Sequence, residues 1–271
     1  MEEHTDNKEF FKVHSNGMDF YCERYGDGSK PYLVLVPDGI NDCGQFEPAA
    51  RLLMKDFTVL TFDMRGGSRS MPPVDQAVTP KLMADDIAGI LKGLNIQRAH
   101  IYGCSSGGQA VLSLGVYYPE LCINIIAHEA ALQLDDPLPM CGYGWFKAMA
   151  TYDSGCEGFS GASVEMVGDR QKWDALGEEF KERVNQNNIY WMKWYLGSSD
   201  QMTYNYEQLN TIPNLEFSIG TWSPSWLTYS NYITAMRGNR PIHWMNCSHH
   251  PQITNTEEWV KWVTETCHKY N

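Results

Sequence analysis

His100-Ile101-Tyr102-Gly103-Cys104-Ser105-Ser106-Gly107-Gly108 is an apolar run that ends in a glycine-flanked serine and passes at once into a helical pattern. The G-x-S-x-G spacing of Gly103, Ser105 and Gly107 predicts a nucleophile elbow, a sharp strand-to-helix turn that lifts a serine hydroxyl clear of the backbone. Small flanking residues are what allow so tight a bend. A helix starting near Ser106 aims its free N–H groups and the positive end of its dipole at the same spot, which suits an oxyanion forming beside Ser105. Cys104 stands one residue too early for that position and is expected to point into the sheet as a structural thiol. Such a string also arises by chance, so the surrounding chain must supply strands and partners.

The neighbouring segments supply the strands. Tyr32-Leu33-Val34-Leu35-Val36 is continuously apolar, the mark of a strand buried on both faces, and ends in Pro37-Asp38-Gly39. The loop after such a strand is where an oxyanion donor belongs, and Gly39 lets the backbone approach a substrate closely. Phe57 to Asp63 and Cys122 to Ala127 repeat the pattern, the second ending in His128-Glu129. Between them Met83, Ile87, Ile90, Leu91 and Leu94 recur at helical spacing. Strand-helix alternation of this kind predicts a parallel sheet with right-handed crossovers and a ligand site beyond the carboxyl ends of the strands. Residues 9–25 read as a hairpin around Ser15-Asn16-Gly17, and Leu215 to Gly220 and Ile242 to Met245 complete the sheet.

From 131 to 208 the pattern changes to aromatic-rich helices and glycine-rich loops. Trp173, Leu176, Phe180 and Val184 trace one helical face, with Tyr190, Trp191, Trp194 and Tyr195 just beyond it. The expected organisation is an α/β core at 1–130 and 209–271, a mostly parallel central sheet with flanking helices, and a helical cap inserted at 131–208. A capping box, Thr254-x-x-Glu257, is expected to start the closing helix.

Composition narrows the function classes. The chain has 271 residues, 43% of them hydrophobic, and a formal net charge of -12 with no run of Lys or Arg. Nucleic acid and anionic membranes are therefore poor partners, and a neutral or apolar small molecule fits better. The polar, acidic start Met1-Glu2-Glu3-His4-Thr5-Asp6 is unlike a secretory signal. The eight cysteines are scattered without a C-x-x-C pair or metal-ligand spacing. Free thiols in a reducing, cytoplasmic setting follow, with no metal and no cofactor. A homodimer is the one macromolecular assembly left open.

A serine hydroxyl needs an adjacent imidazole, itself oriented by a carboxylate. Of His249 and His250, which follow the last strand, His249 is the expected base because it stands in H-x-P before the final helix. The acid commonly sits after the strand at Leu215 to Gly220 in enzymes of this kind, yet no Asp or Glu occurs from Phe217 to Thr256. Glu129, at the end of the strand following the elbow helix, is the expected replacement.

The segments Leu35-Val36-Pro37-Asp38-Gly39, Thr61-Phe62-Asp63-Met64 with Ser68-Arg69-Ser70, Gly103-Cys104-Ser105-Ser106-Gly107 and His128-Glu129 closely resemble the fungal zearalenone lactonases. These are α/β-hydrolases that open the macrocyclic lactone ester of a resorcylic acid mycotoxin. The resemblance implies a Ser-His-Glu triad of Ser105, His249 and Glu129, with the N–H groups of Gly39 and Ser106 as the oxyanion hole. Trp191 falls where the family places a cap tryptophan against the substrate, and Asp38 is likewise expected at the substrate. The chain departs from the family after the histidine, where His250-Pro251-Gln252 replaces an aromatic residue, proline and tyrosine. The alternatives are a carboxylesterase for another aromatic or polyketide ester, and a low-turnover ligand receptor on a hydrolase fold.

Overall fold

In the computed structural model, residues 7–71, 75–132, 167–195, 197–198, 201–202 and 204–270 are described. Eight strands form one sheet in the order β1-β2-β4-β3-β5-β6-β7-β8. They are β1 (Lys8–Ser15), β2 (Met18–Tyr25), β3 (Tyr32–Val36), β4 (Thr58–Phe62), β5 (Ala99–Cys104), β6 (Cys122–His128), β7 (Leu215–Gly220) and β8 (Ile242–Met245). The β1–β2 hairpin attaches antiparallel to β4, and every pairing from β4 across to β8 is parallel.

Strand alternation divides the core between the two faces of this sheet. Val34, Val36, Leu60, Phe62, Ile101 and Ile125 pack on one face with apolar residues of α2 (Pro80–Gly93) and α3 (Ser106–Tyr117). Leu33, Leu35, Val59, Tyr102 and Ile126 pack on the other with α1 (Glu47–Leu53) and α9 (Thr256–His268). That second face centres on the fully buried Trp259, whose ring stands edge-on to Tyr102 at 4.8 Å and stacks on Phe46 at 6.4 Å. The α2 helix begins where the sequence permits it, with Thr79 accepting from the Leu82 N–H and Pro80 in the first turn.

The remaining described helices are α4 (Arg170–Asp174), α5 (Glu178–Tyr190), which runs into a π-helical turn at Trp191–Tyr195, α6 (Tyr206–Asn210), α7 (Ser225–Arg237) and α8 (Pro251–Thr254). Trp173, Phe180 and Val184 do share one apolar cluster, together with Ile40, Val167 and Ile253. They lie on two helices rather than one, because Gly177 takes φ 89° between α4 and α5. Of the expected cap, residues 133–166 lie outside the described residues, as do Cys141 and Cys156; the other six cysteines are free and buried. The expected capping box does not form. Asn255 stands at the N-cap of α9 without a side-chain capping bond, while the Thr254 hydroxyl donates to the His250 carbonyl inside the short α8 turn.

Candidate active site

Ser105 stands between β5 and α3 with φ 55° and ψ -120°, a backbone conformation that L residues avoid. Two glycines allow it. A Cβ on Gly103 would lie 2.3 Å from the Gly107 carbonyl oxygen, and one on Gly107 would lie 2.2 Å from that of Pro37. Gly108, which the sequence pattern did not single out, is equally constrained, since its Cβ would meet Ala130 at 2.7 Å. The turn is held by the Ser105 N–H donating to the His128 carbonyl at 3.0 Å and by the Ala131 N–H donating back to Ser105 at 2.9 Å. From Ala99 to Gly115 every residue is buried except Ser105, which is partly exposed. The fold therefore offers solvent one hydroxyl along this stretch.

Glu129 and His249, 120 residues apart, meet with Oε2 2.5 Å from Nδ1. Both are buried. Glu129 sits at φ 42°, so the chain turns as β6 ends, and its N–H donates to the Ser218 carbonyl at 3.1 Å. Its second oxygen, Oε1, accepts the Gly220 N–H at 2.7 Å. The last residue of β7 thus contributes a backbone donor to a carboxylate reaching over from the end of β6. A Cβ on Gly220 would lie 2.6 Å from the Cys247 carbonyl oxygen and 2.9 Å from that of Ser248, so the loop carrying His249 crosses tightly at this point. Burial alone would raise the Glu129 carboxyl pKa. The charge of neighbouring His128 and the hydrogen bond from His249 outweigh it and hold the carboxyl below its usual range.

His128 is wholly buried beside this pair. Its Nδ1 lies 2.9 Å from the Ser218 hydroxyl and its Nε2 3.8 Å from Glu129. Burial, partly opposed by Glu129, depresses its pKa to about 4. Cys104 is also buried, with Sγ 3.9 Å from His249 Nε2, and burial drives its thiol well above the ordinary value, so it is a poor nucleophile.

Gly39 lies in the loop after β3, and a Cβ there would come within 2.9 Å of Trp191 Nε1. Trp191 itself is 6% exposed, which puts its indole against the backbone of that loop. Among the described residues, none accepts a hydrogen bond from the Gly39 or Ser106 N–H. Asp38 is buried, with Oδ2 bonded to His250 Nε2 and Oδ1 accepting the Ile40 N–H at 2.9 Å and the Gln45 amide at 3.1 Å. Its carboxylate has no oxygen left uncommitted. His250, set beside His249 in the sequence, is thus the partner of Asp38, whereas Gln45 had no signal there beyond the polar Gln252 that donates to it.

The Thr61–Met64 and Ser68–Ser70 segments form a separate polar knot. Asp63 accepts from the Arg69 guanidinium at 2.7 and 2.9 Å and from the Cys43 N–H at 2.8 Å. Beside it, buried Asp42 accepts Arg183 Nε at 2.6 Å and the Ser68 hydroxyl at 2.7 Å. Asn187 donates to the Ile40 carbonyl at 2.8 Å. Through these contacts α5 is tied to the loops that end β3 and β4.

Residues 32–221 match the family model described as the alpha/beta hydrolase fold. The chain is 32% identical to the zearalenone hydrolase of Cladophialophora bantiana over 94% of its own length and 95% of that protein's. It is 29% identical to the zearalenone hydrolase of Bionectria ochroleuca, covering 94% and 96%. Among solved structures, the enol-lactonase of Burkholderia xenovorans superposes with a TM-score of 0.78 at 17% identity, over 95% of this chain and 100% of that one, which speaks to the fold. Strand order, elbow and sequence thus converge, and the chain belongs to the zearalenone hydrolase family of α/β-hydrolases.

Proposed function

We propose that this protein opens the ester bond of a bulky macrocyclic lactone, zearalenone or a related resorcylic acid lactone, with Ser105, His249 and Glu129 as its triad. The observation that carries the reading is the buried 2.5 Å contact between His249 Nδ1 and Glu129, because it fixes the tautomer that leaves Nε2 as a proton acceptor. Ser105 Oγ attacks the lactone carbonyl as its proton passes to His249 Nε2. The N–H groups of Gly39 and Ser106 hold the tetrahedral oxyanion. Collapse breaks the ring C–O bond, His249 returns the proton to the departing oxygen, and water then cleaves the acyl-enzyme by the same steps in reverse roles.

The substrate class rests on the two zearalenone hydrolases that this chain matches over nearly their whole lengths. In this reading residues 131–208 form the cap over the substrate, and Trp191, packed on the Gly39 loop, lines the pocket. The test follows zearalenone and a small aryl ester in parallel, with product separated by chromatography. Ring-opened product from the wild type, and none from Ser105→Ala, is the expected result. Ester turnover without lactone opening would assign the protein to another aromatic or polyketide ester.

A further inference from the structure

A second carboxylate–histidine contact stands beside the first. Asp38 and His250, 212 residues apart, are bonded through Oδ2 and Nε2 and are each 2% exposed. His250 directly follows His249, and their rings lie 4.8 Å apart at 81°. Asp38, His249 and His250 each place a polar side-chain atom within 4.8 Å of the other two. The Asp38 bond to the Ile40 N–H closes a turn over residues 38–40, and that turn sets the plane of the peptide whose N–H belongs to Gly39. Gln252, on α8, donates to Gln45 at 2.8 Å, and Gln45 in turn donates to Asp38, which closes a buried ring between the two loops.

We propose that the Asp38–His250 pair is a positioning device that locks the Gly39 loop to the His249 loop and sets how tightly His249 holds its proton. The proposal rests on the reading of His249 as the base and Gly39 as an oxyanion donor. Among the described residues no Lys or Arg pairs with Asp38, whose side-chain partner among the ionisable groups is His250. Although burial opposes it, the charge of His250, followed by its hydrogen bond and the charge of His249, keeps the Asp38 carboxyl below its usual range. The imidazolium formed during attack is then flanked by Glu129 on one side and the Asp38–His250 pair on the other. With His250 gone, Asp38 faces His249 uncompensated and strengthens its hold on the proton. With Asp38 neutral, that hold weakens.

The other titratable groups around the pair are Glu129 and His128 from β6, Cys104 from β5 and Cys247 from the loop after β8. The turn at Cys43–Phe46 and α8 present the uncharged Gln45 and Gln252, and Lys172 of α4 engages the Thr254 carbonyl. None of these changes between the variants below.

The experiment compares wild type, Asp38→Asn, His250→Phe, His250→Gln and the Asp38→Asn/His250→Phe double variant. It reads the His249 imidazole titration by NMR and the acid limb of kcat/KM for p-nitrophenyl acetate. The titration midpoint is expected to rise by about one pH unit in His250→Phe and to fall by about as much in Asp38→Asn. In the double variant the rise should vanish, since the charge that causes it is absent. His250→Phe should also lose roughly tenfold in kcat with little change in KM, as a misplaced oxyanion donor is felt in the transition state. His250→Gln, which keeps a donor, supplies the same comparison if the phenylalanine variant does not fold. Midpoints that stay put, or shift in the same direction in both single variants, overturn the proposal. Ser105-dependent ester turnover by the wild type tests the hydrolase reading separately, and the NMR titration decides the charge coupling whether or not that turnover is seen.

Discussion

Ser105 combines three properties that rarely coincide: a strained backbone, glycine contacts that admit no side chain, and exposure in an otherwise buried stretch. Its motif was legible in the sequence because every part of it is local. Ser105→Ala removes the hydroxyl and little volume, so turnover should fall to background while the pocket still binds substrate. Titration of the variant with zearalenone by intrinsic fluorescence, beside an activity assay, checks both halves; turnover near the wild-type rate would reject Ser105 as nucleophile. The contact between Glu129 and His249 was legible by a different route, the absence of any acid from Phe217 to Thr256. At the end of β7, Gly220 donates its amide to Glu129 and is itself too crowded at Cα for a side chain. The Asp38–His250 contact was not legible, because the two residues lie 212 positions apart and no local pattern announces the pair.

At the scale of elements, the strands and long amphipathic helices agree with their hydrophobic periods, as in β3 at Tyr32–Val36 and α2 at Pro80–Gly93. Short elements escaped the same reasoning. Residues 251–254 close a separate helical turn, α8, which draws the Thr254 hydroxyl back to His250 and leaves Asn255 to begin α9. The attachment of α5 was also invisible, since Arg183 and Asn187 look like solvated helix residues until Asp42, Ser68 and Ile40 meet them. These contacts carry Trp191, one residue beyond α5, onto the Gly39 loop. Trp191→Ala should therefore reduce kcat/KM for zearalenone at least tenfold more than for a small aryl ester, because the lost indole surface matters most to a large substrate. Equal losses on both would assign Trp191 to support of the loop rather than contact with substrate.

At the scale of the molecule, one twisted sheet gathers polar groups from distant parts of the chain at the ends of its parallel strands, and burial there has consequences for stability. Unfolding exposes the His128 imidazole, which then binds a proton below about pH 6.5, whereas in the fold it stays neutral down to about pH 4. The unfolded state gains protons first as pH falls, so stability is lost between those values. Replacing His128 with Gln should remove about 2 kcal/mol of the stability difference between pH 7 and pH 5, measured by urea unfolding of both proteins. An unchanged difference would mean that His128 is already protonated in the fold. The same architecture brings Ser105 from β5, Glu129 from β6 and His249 from beyond β8 to one edge, and the proposed chemistry depends on that convergence. The most direct test is the turnover of folded Glu129→Gln on zearalenone. The amide keeps the shape but loses the charge that orients His249, and a loss on the order of 10⁴-fold is predicted; a folded variant retaining more than about a tenth of wild-type turnover would contradict the triad.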